Sequence, residues 1–281
     1  MAIRETVGID GTPLVYSVTG APEARPLVLL HGWAQSSKCW GADVLDDFAA
    51  RYRVIAVDLR GHGYSGAPDT GYDDSAIWAG DVDAVLAAES VTSGAVLLGW
   101  SYGGLVICDF LEAHGTGAVD AVVFVGAITS IGRGELGGKV GSAMRAAIPC
   151  AMSDEPRDAI RALGAFGTAL TGSPEGKGAQ SQALFGASLS TPPRVRAALF
   201  DRAASHDDLL RSLDIPALVV HGTADSVVDV AAGRHAAGLI PKAQASFWDG
   251  CAHGPFVEDP ERFVKEVGHF VDNLGEERQP R

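Results

Sequence analysis

The chain has 281 residues, is 47% hydrophobic and carries a formal charge of −13 at pH 7. That apolar content suffices for one large domain, or for a domain with an inserted lobe. The acidic balance argues against nucleic acid or an anionic membrane surface as a partner, and no apolar run approaches the roughly 20 residues of a membrane helix.

The N-terminal MAIRETVGIDG lacks the apolar core of a secretory signal, so a cytoplasmic protein is expected. Cys39, Cys108, Cys150 and Cys251 include no CxxC pair. Reduced thiols and no metal site are therefore expected.

Arg4 to Thr19 alternates weakly about Asp10-Gly11 and reads as a hairpin at a sheet edge. Short unbroken apolar runs follow, each closed by turn residues. They are Pro26-Leu30, Val54-Val57, Ala95-Leu98, Ala121-Val125 and Ala217-Val220, with Ala245-Trp248 as a last strand-like run. Unbroken rather than alternating runs indicate strands buried on both faces. Helical spacing lies between them, in residues 73–90 and in Tyr102 to His114. It returns in a final stripe of Phe263, Val267, Phe270, Val271 and Leu274, started by Asp259-Pro260. Strand and helix in alternation predict a mostly parallel, doubly wound α/β sheet.

Residues 129–212 break that rhythm. Four helical pieces fit there, with starts at Ser153-Asp-Glu-Pro156 and Thr191-Pro-Pro193, each offering an N-cap oxygen. The expected organisation is a core of residues 1–128 and 213–281 with a helical cap at 129–212. The alternative is two ordinary crossover helices with long loops. Few large apolar side chains anchor residues 164–190, so the cap is expected to gate the site, and the polar tail 275–281 is expected to fray.

Ligands of a doubly wound sheet bind at the carboxyl ends of its strands. The string GWSYGG puts Ser101 at such an end, between a strand and a helix. Gly99 and Gly103 lack the Cβ atoms that would collide in so sharp a turn, which thrusts the serine above the sheet. A serine needs a base. His253, in the DGCAHGPF loop, can reach over the strand ends, whereas His269 and His235 lie on helices and are expected to face solvent. An acid must fix the imidazole. Asp225 in HGTAD is preferred to Asp229, which reads as a helix N-cap, and to Asp249, which belongs to a turn. The backbone N–H groups of Trp33, in HGWAQSS, and Tyr102 are the candidate oxyanion donors. His31, His62 and His221 are expected to be structural, and Asp58 and Arg60 to tie down the loop beneath the site.

HGW, DLRGHGYSG, GWSYGG, HGTAD and AHGPFVEDPERF, in that order, resemble the α/β-hydrolase superfamily over essentially the whole chain. The layout is closest to its serine esterase and cofactor-free haloperoxidase (perhydrolase) group. The resemblance implies a Ser-Asp-His triad, two backbone oxyanion donors, no cofactor and a helical cap. Two departures from that group stand out: Ala34 where it usually has proline, and Trp100 where it often has phenylalanine. Ser101 sets aside dehalogenase-like and epoxide-hydrolase-like relatives, which need a carboxylate nucleophile.

The expected activity is hydrolysis of a small to medium, largely apolar ester or lactone. Alternatives are peracid formation, carbon–carbon bond hydrolysis, or a ligand receptor with slow turnover. Trp33, Trp100, Phe166 and Phe185 either line an apolar pocket or pack the core and cap. The expected partner is a small molecule, with a homo-oligomer possible.

Overall fold

The computed structural model describes residues 1–172 and 178–274. The tail 275–281, and residues 173–177 of the expected gating segment, lie outside the described residues. The chain opens with β1 (Ala2–Val7), β2 (Pro13–Thr19) and β3 (Pro26–Leu30), then α1 (Ala42–Ala49), β4 (Arg53–Val57) and α2 (Ser75–Ala88). There follow β5 (Ala95–Trp100), α3 (Tyr102–His114) and β6 (Val119–Val125). Next come α4 (Ser142–Ala151), α5 (Pro156–Thr171), α6 (Gly178–Ser190), α7 (Pro193–Ala198) and α8 (Asp207–Ser212). The chain returns through β7 (Ala217–Gly222), α9 (Val230–Leu239), β8 (Ala243–Trp248), α10 (Pro255–Glu258) and α11 (Pro260–Asp272).

The sheet runs β1-β2-β4-β3-β5-β6-β7-β8. The first hairpin is antiparallel and lies at the edge, and β3 to β8 are parallel. Every residue of β5 and β7 is buried, as unbroken apolar strands between helical layers require. After β3 the chain steps outward to β4, then crosses back to place β5 on the other side of β3. Such a reversal leaves a crevice beyond the carboxyl ends of β3 and β5. The loop after β3 and the turn after β5 meet there.

Local capping chemistry sets several helix starts. Asp74, Asp229 and Asp259 accept from the N–H groups of Ala76, Ala231 and Arg262. Two expected caps do not form. The Ser153 hydroxyl accepts from Glu155 N before α5 begins, and the Thr191 hydroxyl donates back to Ala187 O. Proline at the first turn, not a hydroxyl cap, marks the starts of α5 and α7.

Among the described residues, five α-helices rather than four stand between β6 and β7. Among the described residues this segment has no strand, only isolated bridges from Ile131 to Ala204 and from Val140 to Val228 beyond β7. These helices press on the loop after β3. Trp33 Nε1 donates to Arg196 O at 2.9 Å, and Gln35 Nε2 to Leu184 O and Ser188 Oγ at 3.2 and 2.8 Å. Buried Arg196 gathers the helix ends by donating to Ala151 O and Ser188 O at 2.7 and 3.0 Å. Among the described residues, no helix is long and apolar enough to cross a membrane.

Candidate active site

Strand β5 runs two residues further than its apolar run, through Gly99 and Trp100, and α3 starts at Tyr102. Ser101 alone makes the turn. Its φ of 55° and ψ of −117° are conformations that side-chain-bearing residues rarely adopt. Its N–H donates to Val125 O at 3.0 Å, and its carbonyl accepts from Gly104 N and Ile128 N at 3.0 and 3.1 Å. Three hydrogen bonds therefore hold the strained residue. A Cβ on Gly103 would lie 2.1 Å from Leu30 O, and one on Gly99 would lie 2.5 Å from Gly103 O. Both glycines permit approaches that any other residue would block. The loop after β3 also closes in: a Cβ on Gly32 would stand 2.9 Å from Ser101 Cβ.

Asp225 follows β7, and His253 follows β8 by a short loop. The two meet at 2.7 Å, from Asp225 Oδ2 to His253 Nδ1. The other carboxylate oxygen accepts from Val227 N at 2.8 Å and Val228 N at 3.0 Å. Burial alone would push the Asp225 carboxyl up. The positive charge available at His253, then the hydrogen bond from His221, hold it well below the usual carboxylate range. With a carboxylate at Nδ1, that nitrogen carries the hydrogen and Nε2 presents a lone pair. Nε2 is buried and, among the described residues, has no hydrogen-bond partner, Ser101 Oγ included. Asp229 caps α9, leaving Asp225 to the imidazole.

The backbone around His253 is held from two sides. Trp100 Nε1 donates to His253 O at 2.9 Å. Ala252 N donates to Glu258 Oε1 at 2.6 Å. Sequence reasoning did not single out Glu258; its only signal was its place inside AHGPFVEDPERF. His221 lies beside the same pair, with Nε2 3.2 Å from Asp225 Oδ2.

The loop after β3 rests on two neutral histidines. His31 Nδ1 donates to Gly32 O at 2.8 Å and Nε2 accepts from Leu59 N at 3.0 Å. His62 Nδ1 donates to Arg60 O at 2.8 Å and Nε2 accepts from Ala34 N at 3.2 Å. Each ring has both nitrogens occupied as a neutral tautomer. Burial lowers both pKa values, that of His62 to about 3. Asp58 accepts from Ser37 N and Tyr64 N at 2.7 and 2.9 Å, and buried Arg60 pairs with Asp81 and Asp10. Trp33 lies in this loop, and the Tyr102 N–H opens α3, where helical amides have no intrahelical acceptor.

The four aromatics proposed for the pocket separate into different surroundings. Trp33 stands perpendicular to Phe166 at 5.4 Å and is also flanked by Phe200, which the sequence reading missed. Trp100 is buried against Trp40, Phe256 and His253, because its indole N–H is drawn to the His253 carbonyl. Phe185 lies half-buried on α6, over the glycines of α5. His269 is exposed, as expected, but His235 is not free in solvent. It pairs with Asp207 at 2.9 Å because α8 packs beside α9. Among the described residues no cluster of three or more His, Cys, Asp or Glu could hold a metal ion.

A profile of the alpha/beta hydrolase family matches residues 27–266. The fold superposes on the crystal structure of an esterase from Rhodococcus sp. ECU1013 with a TM-score of 0.97 and 75% identity, covering 98% of this chain and 100% of that one. A non-heme chloroperoxidase of Streptomyces lividans is 32% identical, over 93% of this chain and 97% of its own. A non-heme haloperoxidase of Rhodococcus erythropolis is 31% identical, over 94% and 97%.

Proposed function

The chain belongs to the alpha/beta hydrolase family, and on that premise we propose that it hydrolyses a small to medium, largely apolar carboxylic ester or lactone through an acyl-enzyme on Ser101. The observation that carries the reading is the 2.7 Å contact of Asp225 with His253 Nδ1, which leaves a buried lone pair on Nε2 that is unpaired among the described residues. A buried polar atom without a partner calls for an explanation, and a general base waiting for its proton supplies one. The esterase that is 75% identical supports the same reading.

In this mechanism Ser101 Oγ attacks the ester carbonyl while His253 Nε2 takes the hydroxyl proton. Asp225 holds the ring and offsets its positive charge. The N–H groups of Trp33 and Tyr102 receive the developing oxyanion. The alcohol leaves with the proton from His253, and water repeats the cycle to free the acid. No step calls on a cofactor or metal. Residues 129–212 serve as the lid, with Trp33, Phe166 and Phe200 as the apolar wall beside the oxyanion loop.

The haloperoxidase names of the relatives favour a second reading, peracid formation from a carboxylic acid and peroxide. One feature weighs against it. Ala34 has a φ of 53° and its N–H donates to His62, whereas proline is fixed near −65° and has no N–H. This loop therefore cannot take the proline usual in perhydrolases without refolding. Bromination dependent on added acetate, at rates matching ester cleavage, would establish the second reading.

The deciding experiment is rapid mixing with p-nitrophenyl acetate and p-nitrophenyl hexanoate beside Ser101→Ala. Release that vanishes in the variant is expected, and the ratio of the two esters sizes the pocket. Folded protein with no Ser101-dependent release would overturn the reading in favour of carbon–carbon bond cleavage or ligand binding without turnover.

A further inference from the structure

Three ionisable side chains are buried together where the chain leaves α7 and passes over α3. The side chains of Arg202 and Asp109 are wholly covered, and that of His206 is almost so. Arg202 Nη2 donates to both oxygens of Asp109, at 2.8 and 2.9 Å, and to Ser75 Oγ at 2.8 Å. Its other terminal nitrogen, Nη1, donates to the Tyr102 hydroxyl at 3.1 Å. That hydroxyl donates onward to Leu199 O at 3.4 Å. His206 completes the group, with Nε2 3.1 Å from Asp109 and Nδ1 3.3 Å from Glu112.

Desolvating charges is costly, and well-packed apolar residues often give equal stability. What an arginine adds is direction, because its planar fork can address two partners at fixed angles. Here the partners are Asp109, in the middle of α3, and Tyr102, its first residue. The Tyr102 ring is also confined, with Trp78 at 5.5 Å and the guanidinium at 5.8 Å. A side chain fixed at its ring and its hydroxyl leaves its own backbone little freedom, and the Tyr102 amide is the proposed oxyanion donor next to Ser101.

We infer that Arg202 is a positioning residue: through the Tyr102 hydroxyl it fixes the Tyr102 amide in the oxyanion hole, and it ties that amide to the chain leaving the lid helices. The inference rests on the hydrolase reading above and extends it to a residue outside every motif of the sequence.

The test compares Tyr102→Phe, Arg202→Lys and the double variant in the full-length protein. Tyr102→Phe keeps the amide and removes only the hydroxyl, while Arg202→Lys keeps a charge for Asp109 and loses the fork. The readouts are kcat and KM for p-nitrophenyl acetate, and inhibition by trifluoroheptanone, which a serine nucleophile converts to a tetrahedral adduct. Losing an oxyanion donor outright costs ~10²–10³ in turnover, so a displaced donor is expected to cost about tenfold in kcat with KM little changed. Inhibitor affinity should fall by the same factor. The double variant should be no worse than either single variant, because both act through one contact. Tyr16→Phe, which deletes another buried hydroxyl, bonded to Glu89 at 2.7 Å, should lower Tm without touching kcat or the inhibitor.

If the single variants melt earlier but keep wild-type kcat and inhibitor affinity, the network is only structural and the inference falls. Multiplying losses in the double variant would also overturn it. If the wild type shows no Ser101-dependent release, the hydrolase reading fails first and takes this inference with it. The Ser101→Ala control separates that failure from the others.

Discussion

Trp100 Nε1 donates to the carbonyl of His253 at 2.9 Å, so the residue before the candidate nucleophile grips the backbone of the candidate base. Trp100 ends β5 and His253 lies in the loop after β8, and this bond links the two segments. Trp100→Phe keeps a buried ring and leaves the His253 carbonyl unpaired. An orphaned buried acceptor costs about 1–3 kcal/mol. The expected result is a stability loss of that size in denaturant titration, with kcat falling more than KM rises. An unchanged kcat would show that the bond does not set the position of His253.

Asp225→Asn is expected to lower kcat by about 10³–10⁴-fold with little change in KM, because an amide cannot offset the imidazolium and can favour the wrong tautomer. Stability gives a second check. A carboxyl held below its usual range contributes stability that is present above about pH 4 and is lost as pH falls toward its folded value. The gap in unfolding free energy between wild type and Asp225→Asn should therefore narrow from pH 5 downward. A gap that widens would contradict the assignment.

His62 supplies the opposite sense of titration. Its folded pKa is about 3, pushed down by burial and then by His31, whereas an unfolded histidine titrates near 6.5. Between those values the unfolded chain holds a proton that the folded ring refuses. Stability is therefore full above about pH 6.5 and declines as pH falls, by up to about 1.4 kcal/mol per unit. Denaturation midpoints from pH 7 to pH 4 should show that slope, and His62→Gln should flatten it even though the variant starts less stable.

Two glycine substitutions should differ in sign. In Gly103→Ala the new methyl meets Leu30 O at 2.1 Å, forcing β3 and α3 apart at a cost of about 1–3 kcal/mol or more, with loss of esterase activity. Gly238→Ala lies at an exposed position of α9 with open space around it, and helix propensity alone should stabilise it by up to about 1 kcal/mol. Thermal melts of the two variants make the comparison.

Features with short-range causes were legible in the sequence. The bounds of α3 follow from a glycine-flanked serine at one end and a glycine at the other. The caps of α9 and α11 follow from an aspartate before the first turn. The apolar runs gave the parallel strands because burial on both faces leaves no room for alternation. What escaped was pairing across long separations. Arg202 finds Asp109 93 residues away, and His235 finds Asp207 28 residues away. Nothing in the periodicity of either segment marks such a partner. Hydroxyls misled for a related reason: Ser153 and Thr191 each had a nearer group to bond than the helix amide expected of them.

The backbone at Ser101 has one more consequence. At a φ of 55° and a ψ of −117°, glycine would rest at ease, and a side chain costs on the order of 1–3 kcal/mol. The close approaches at Gly99 and Gly103 define the turn around Ser101. On the proposed mechanism, position 101 is thus where the demands of folding and of chemistry diverge. Ser101→Gly is therefore expected to be sturdier than the parent protein and, on the proposed mechanism, silent.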